Sequence, residues 1–360
     1  MNINNKKMKN SKNTNGMNSK YSLLKKKQKN PVSHTDQPMI TSPQIDKLAV
    51  VVDTPVELHG LILHELICSF QDGDGTCTEL PTPKGYNVSL MVNCPNGDGE
   101  LLKGNAGVWL TATAITPKPH LRLEFNPIKL FGTNEECFEK IKSHLDHFFL
   151  GICGVGFFDL LAHGRVSNIE ICRHILQRKP DDYLFRVKYA RSQQSIFGSD
   201  GGLETLYFGK RAGNQTCIYN KAKQLHGNSA ENDCIRIERR LKPKNTKIVN
   251  LWGLANPFKH VSIFSLKANK LPNSITIGHW IAFQDACRYR GVNQAIKCQP
   301  KFLHTKLKKI VSDNPVDWWD IADTDWEYLL TDALNEAWLD HVSENPTQFS
   351  TATVIGDGIA

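Results

Sequence analysis

The chain has 360 residues, of which 40% are hydrophobic and 22% charged, and its formal net charge is +8 at pH 7. This composition is typical of a globular protein with a sizeable core, and no apolar run approaches the ~18–20 residues that a membrane-spanning helix requires. The lysines near the N-terminus are followed by no apolar stretch of the kind found in secretory signals. We therefore expect a cytoplasmic protein without a membrane segment.

The ten cysteines lie 9 to 53 residues apart, and none forms a C-x-x-C pair. This spacing argues against a structural zinc site and against a compact disulfide framework. Free thiols in a reducing compartment are the expected state.

Charge is distributed unevenly along the sequence. Residues 1–46 contain nine lysines and two aspartates, whereas residues 312–360 contain eleven acidic residues and no lysine or arginine. Residues 47–311 therefore have a net charge of +12. Such a basic body is typical of proteins that bind polyanions, although a solvated basic surface without a partner has the same composition.

Composition and patterning divide the chain into four predicted segments. Residues 1–46 are rich in Asn, Lys and Ser and are expected to form a disordered basic tail. Residues 47–270 are predicted to form an α+β domain, mainly an antiparallel sheet with helices on one face. Residues 271–345 are predicted to be a helical region, and residues 346–360 a flexible tail.

The predicted elements begin with strands over residues 48–131, with turns at the Asp-Gly clusters of 71–76 and 93–100. An amphipathic helix is expected at 135–149. Further strands follow at 165–176 and 233–242, with a hairpin between them whose turn is Gly213-Asn214. After residue 275 the apolar residues recur at helical spacing. The segment LRLEFNPIKL (121–130) is similar to IRIERRLKPK (235–244), which suggests two related halves.

Side chains alternate between the two faces of a strand, and four of the predicted strands gather chemically active groups on the face opposite the apolar one. These groups are Glu124, Glu170, His174, Tyr207, Tyr219, Lys221, Arg236, Glu238 and Arg240. Carboxylates on adjacent strands repel one another, and a hard cation such as Mg²⁺ or Mn²⁺ would relieve that repulsion. The alternative is a solvated sheet face with Glu–Arg pairs across strands, each worth ~0.2–1 kcal/mol.

The run YFGKRAGNQTCIYNKAKQ (207–224), followed by IRIERRLK (235–242), resembles the replication initiation factor family of rolling-circle plasmids and filamentous phages. That family has a strand with tyrosine, glycine and arginine, a short turn, a tyrosine–acid/amide–lysine segment, and then an Arg-x-Glu strand. RVSNIEICRHI (165–175) stands where the family has a strand with metal-binding aspartates, and NPFKHVSIF (256–264) is similar to the segment that follows. The resemblance covers roughly residues 120–265.

The resemblance implies a metal-dependent DNA nicking-closing enzyme that starts rolling-circle replication. Residues 47–270 would be its nickase-like catalytic domain, and the helical region 271–345 is a candidate for binding duplex DNA. A tyrosine would attack a phosphodiester of origin DNA, leaving a 5′-phosphotyrosine link and a free 3′-OH for a polymerase. Expected partners are duplex and single-stranded origin DNA, a host helicase and a second copy of the chain, and the expected cofactor is Mg²⁺ or Mn²⁺. The candidate residues are Tyr219, Lys221 and, as second nucleophile, Tyr207 for catalysis; Glu238, Glu170, His174 and Glu124 for the metal; and Arg211, Arg236, Arg240, Arg288 and Arg290 for DNA.

Three positions differ from the family pattern. Glu170 and His174 stand where aspartates are usual, and Cys217 replaces an arginine. A second hypothesis is therefore a DNA-binding or copy-control protein that has this fold but no catalytic activity. A third is a structural protein with a polar sheet face, which would show no salt-dependent DNA affinity.

Overall fold

The computed structural model describes residues 38–71, 75–95, 107–199, 201–226, 233–266, 271, 273, 275–319 and 323–349. Among these residues the fold is α+β, as predicted, and ten strands form one antiparallel sheet. The predicted disordered segment lies outside the described residues as far as residue 37. Its predicted end at residue 46 falls inside a strand that begins at Gln44.

The large sheet has the strand order β2-β3-β4-β5-β1-β6-β11-β10-β9-β8, and β7 and β12 form a separate two-stranded ladder. The predicted strand at 165–176 is confirmed as β6, and the predicted hairpin as β9 and β10. The strands are β1 (Gln44–Asp53), β2 (Cys77–Glu79), β3 (Val88–Asn93), β4 (Gly107–Ala112), β5 (His120–Phe125), β6 (Arg165–Leu176), β7 (Tyr183–Val187), β8 (Gln193–Phe197), β9 (Leu203–Phe208), β10 (Gln215–Asn220), β11 (Cys234–Leu241) and β12 (Val261–Ser265).

The strand order repeats one topology twice. In the first half β1 pairs with β5, and β4, β3 and β2 follow outward; in the second half β6 pairs with β11, and β10, β9 and β8 follow outward. The two halves join where β1 and β6 pair antiparallel. The similar segments 121–130 and 235–244 begin on β5 and β11, which occupy equivalent places, so the predicted relation between the halves has a structural counterpart.

The helix predicted at 135–149 is confirmed, and it extends to Cys153. It begins because the side chain of Asn134 accepts a hydrogen bond from Glu136 N, 2.8 Å away, and it ends at Gly154, whose φ is 71°. The helices are α1 (Val56–Gln71), α2 (Pro127–Phe131), α3 (Glu135–Cys153), α4 (Phe157–His163), α5 (Lys221–His226), α6 (Ile277–Arg290), α7 (Val292–Cys298), α8 (Lys301–Ser312) and α9 (Asp323–Glu336), with short 3₁₀ helices at Pro180–Asp182, Ile248–Gly253 and Leu339–His341.

The prediction of strands throughout residues 48–131 was wrong at α1 and α2. In α1 the buried residues Leu58, Ile62 and Leu66 recur at helical spacing, but exposed apolar residues on the opposite face obscure that period. The predicted turn at 71–76 therefore follows a helix, and its residues 72–74 lie outside the described part of the chain. The predicted turn at 93–100 lies largely outside it as well, although the flanking strands β3 and β4 do pair antiparallel.

The main core lies between the apolar face of the sheet and helices α1 to α4 and α9. Its centre is a group of phenylalanines in which the ring of Phe131 lies 5.3 to 6.3 Å from those of Phe125, Phe138, Phe157 and Phe158. Among the described residues no single helix is long and apolar enough to cross a membrane. Helices α3 and α4 have the required length and apolarity only when they are counted together, and the chain bends by 61° between them.

Helices α6 to α8 form a second, smaller core with Leu184 of β7 and Phe264 of β12. Helix α9 does not belong to it, because Trp326, Leu330 and Leu334 pack in the main core. The predicted helical region 271–345 is therefore divided between two cores.

Replacing Phe131, which is fully buried, by alanine should lower the free energy of unfolding by about 3–5 kcal/mol, because the cavity left among four rings cannot close. The matched control is Phe302→Ala on α8, where the side chain is 65% exposed and the change should stay within about 0.5 kcal/mol. Urea unfolding of both variants measures the difference. Equal midpoints would contradict the packing described.

Candidate active site

A β-bulge in β1 delivers an acidic residue to the polar face of the sheet. Ile45 lies opposite Ile171 of β6 and Lys47 lies opposite Glu170, so Asp46 is the extra residue between them. Ile45 and Leu48 are both fully buried on the core side. A bulge changes the direction of the side chains beside it, so Asp46 and Lys47 can both lie on the polar face of the sheet although they are consecutive.

Three carboxylates converge at this point from β1, β6 and β11. Asp46, Glu170 and Glu238 each offer an oxygen within 4.8 Å of the others, and within the described ranges no other group of three acidic, histidine or cysteine residues comes together in this way. The Glu238 side chain is 3% exposed and the Glu170 side chain 12%. Two of the predicted ligands are thus brought together, and Asp46 joins them.

Two arginines of β11 bind the carboxylates. Arg236 Nη2 lies 2.6 Å from Asp46 Oδ2, and its Nε lies 3.6 Å from Glu238 Oε2. Arg240 Nε donates to Glu238 Oε1 over 2.7 Å and lies 3.7 Å from Glu170 Oε1. The Arg236 side chain, predicted to contact DNA, is only 6% exposed, so its visible role is to link the carboxylates.

The charges of this group are not fully balanced. Burial raises the pKa of Glu170, and the neighbouring carboxylate of Glu238 raises it further. Burial also acts to raise the pKa of Asp46, but the Arg236 guanidinium outweighs it and holds that pKa below its usual value. Three carboxylates face two guanidiniums, and their oxygens are the donors that hard divalent cations prefer. The residues present therefore fit Mg²⁺ or Mn²⁺.

Tyr219 lies on β10 with its side chain beside this group. Its hydroxyl donates to Glu238 Oε2 over 3.5 Å, and Lys221 Nζ lies 5.9 Å from the centre of its ring. Burial raises the pKa of Tyr219; Arg236 acts to lower it, whereas Glu238 and Asp46 add to the increase. The hydroxyl is consequently protonated at neutral pH. Lys221, predicted to continue the strand, is instead the first residue of α5.

His174 and Glu124, both predicted as metal ligands, lie outside the carboxylate group. His174 Nε2 is 3.2 Å from Arg236 Nη1, and burial together with Arg236 lowers the pKa of His174 to about 4, so the neutral imidazole accepts from the guanidinium. Glu124 on β5 is bound by Arg122 and by Lys47, whose Nζ lies 2.9 Å from Oε1. In the repeated topology Lys47 occupies the place of Glu170, so an ammonium group stands where the second half has a carboxylate.

Two cavities lie side by side on this face of the sheet. The smaller, of about 230 Å³, is lined by Tyr219 and Glu238, and the larger, of about 800 Å³, by Lys210 and Arg211. Both are also lined by Tyr207 and Arg240. We call this pair of cavities the groove.

The remaining predicted residues lie at different distances from the carboxylates. Tyr207 is on β9, opposite Cys217 of β10 and thus one strand farther from Glu238 than Tyr219 is. Arg288 lies on α6 and donates to the carbonyl oxygen of Asp181 over 3.0 Å. It does not line the groove itself, but its carbonyl oxygen accepts from Gln193, which does. Arg290 is exposed at the end of the same helix. Their roles in DNA binding stay predictions.

Sequence reasoning missed Asp46 and its partner Asn126, whose Nδ2 donates to Asp46 Oδ1 over 3.1 Å. One signal was present. The two successive polar residues between Ile45 and Leu48 interrupt the alternation of a strand, as an extra residue in a bulge does.

No protein-family model matches the sequence, and no curated protein matches it either. Among solved structures, the chain is matched to the rolling circle replication initiator protein from Geobacillus stearothermophilus, with 15% sequence identity and a TM-score of 0.34. The match covers 76% of this chain and 97% of that one. At this identity and TM-score the likeness identifies neither the family nor the function of this chain.

Mn²⁺ should bind the wild-type protein at a single carboxylate site. Glu170→Gln and Asp46→Asn should each weaken binding by tenfold or more, since each removes a charged oxygen donor. Glu124→Gln is the matched control, because that carboxylate is already neutralised by Lys47 and Arg122. Titration followed by electron paramagnetic resonance measures free Mn²⁺. Equal affinity in all three variants would contradict the assignment of the ligands.

Proposed function

We propose that this protein initiates rolling-circle replication by cutting one strand of origin DNA through Tyr219. The phenolic oxygen would attack the scissile phosphorus, the bond from phosphorus to the 3′-oxygen would break, and the products would be a 5′-phosphotyrosine and a free 3′-OH. The observation that supports this most directly is the hydroxyl of Tyr219 beside a cluster of three carboxylates, 3.5 Å from Glu238. The sequence resemblance of residues 207–242 agrees with it.

Glu238 is suited to receive the proton that the tyrosine must lose. Its Oε1 accepts from Arg240, while its Oε2 faces the Tyr219 hydroxyl. The fixed Oε1 contact orients the carboxylate, so that Oε2 stays directed at the hydroxyl. A half-buried tyrosine hydroxyl with a raised pKa is a weak nucleophile unless a base takes its proton as the new bond forms.

The carboxylates of Asp46, Glu170 and Glu238 would hold a divalent cation, Mg²⁺ or Mn²⁺. A bound cation of this kind polarises a phosphate and offsets the negative charge of its ligands. Arg236 orients Asp46, and His174 orients Arg236 in turn, so the ligand geometry is fixed by hydrogen bonds before DNA arrives. Such pre-organisation reduces the rearrangement needed for catalysis.

Basic side chains along the groove suit a DNA strand leading to the tyrosine. Arg240 lines both cavities, and Lys210 and Arg211 lie in the turn that closes the larger one. Guanidinium groups bind phosphate oxygens through paired donors. Origin DNA is therefore the proposed partner, with a host helicase and a second copy of the chain as further proposed partners.

A second function is favoured by one observation: the arginines already neutralise much of the carboxylate charge. Asp46 and Glu238 both have guanidinium partners within 2.7 Å. Such a network is stable without a cation, as a DNA-binding or copy-control protein without catalytic activity would require.

Wild-type protein, supercoiled DNA with the origin of its own replicon, and Mn²⁺ or Mg²⁺ should give relaxed circles and a protein–DNA adduct that survives denaturation. Tyr219→Phe should reduce adduct formation by at least roughly a thousandfold, because the nucleophilic oxygen is removed. Tyr207→Phe is the matched control and should still form the adduct. Gel electrophoresis under denaturing conditions measures it.

Loss of the adduct in Tyr207→Phe, with retention in Tyr219→Phe, would assign the nucleophile to Tyr207. Wild-type protein that binds the origin yet forms no adduct with either metal would leave the non-catalytic function.

A further inference from the structure

The turn between β7 and β8 exposes an aromatic ring on a strained backbone. Ala190 N donates to Val187 O over 3.2 Å, which makes Tyr189 the third residue of a β-turn, and its φ is 69°. Glycine or asparagine ordinarily supplies a positive φ at this position, since a bulky side chain is disfavoured there. The Tyr189 side chain is nevertheless 75% exposed, so burial in the core does not compensate for the strain.

The surroundings of this ring are basic. Lys188 Nζ lies 5.1 Å from the ring centre, and the imidazole of His260 packs edge-to-face with it at 5.4 Å. Arg186 and Arg191 are exposed on either side of the turn, and the sequence from 183 to 199 contains no acidic residue. An exposed aromatic ring among cations matches the chemistry of a nucleotide, which has a flat base and an anionic phosphate.

The turn continues directly into the groove. The carbonyl oxygen of Ser192 accepts from Gly209 N over 2.9 Å, and Ser192 and Gln193 line the larger cavity together with Lys210 and Arg211. Tyr189 precedes Ser192 by three residues, a distance of at most about 11 Å along the chain. The backbone of Tyr189 therefore lies within about 11 Å of a residue that lines the groove.

We propose that Tyr189 is a stacking platform for a base of single-stranded DNA, with Arg186, Lys188 and Arg191 as phosphate contacts. A base can stack on an exposed ring only when it is unpaired, whereas the bases of a duplex are already stacked on one another. The identity of the polymer rests on the proposed function. The platform itself rests on the geometry of the turn and its charges.

The test measures binding, not cutting. In a Tyr219→Phe background, fluorescence anisotropy at fixed salt compares a labelled single strand from the origin with its duplex. Tyr189→Gly should weaken single-strand affinity roughly 5- to 150-fold, which is the range for the loss of one base–aromatic stack. It should not lower the melting temperature of the protein, because glycine readily adopts the positive φ of this turn. Tyr189→Trp should retain the affinity. Tyr328→Ala is the matched control, since Tyr328 is 70% exposed on the acidic helix α9.

Unchanged affinity in Tyr189→Gly would overturn the proposal, as would equal losses for duplex and single strand, which would indicate a general phosphate surface. A wild-type protein with no single-strand affinity would overturn it too. The two proposals fail separately. If wild-type protein forms no adduct but Tyr189→Gly selectively loses single-strand affinity, the platform stands and the nickase does not.

Discussion

The antiparallel pairing of β1 with β6 is the constraint on which the rest of the structure depends. It joins two halves of identical strand order into a single sheet, and their apolar faces become one continuous core under the helices. Its bulge at Asp46 is also what gives the second half a third carboxylate. A strand pairing that is needed for the fold therefore also completes the candidate site, and the site contains residues from both halves.

The charges at this junction are stabilised by pairing and not by solvent. Isolated carboxylates at such depth would take up protons, because desolvation disfavours their charged form. Arg236 and Arg240 on β11 each contact two carboxylates. Arg236 lowers the pKa of Asp46, whereas burial and the neighbouring Glu238 keep the pKa of Glu170 raised. Removing Arg240 would take the guanidinium away from Glu170 and leave Glu238 with Arg236 as its remaining cationic contact, a larger cost than the loss of a surface ion pair. The network consequently holds its members rigidly.

Those parts of the fold and of the candidate site that depend on a local sequence pattern could be predicted. Alternation identified the face of Tyr219, Glu170 and Glu238, because the two faces of a strand differ strongly in polarity when one of them is buried. Asp46 could not be placed by alternation, since a bulge depends on the partner strand. Glu124 was expected in the cluster because its strand alternates like the others. The order of strands in the sheet decides which side chains become neighbours, however, and β5 lies on the opposite side of β1 from β6 and β11. Helix α1 was hidden by apolar residues exposed on its outer face.

The first half of the sheet serves as an internal control for the second. At the places equivalent to Tyr219, His174 and Glu170 it has Thr111, Val51 and Lys47, as the strand registers show. It keeps the Arg-x-Glu pattern in Arg122 and Glu124. The same topology thus forms without the tyrosine, the imidazole or the second carboxylate. These three side chains are therefore not requirements of the fold. Their presence in one half alone agrees with the chemistry proposed for that half.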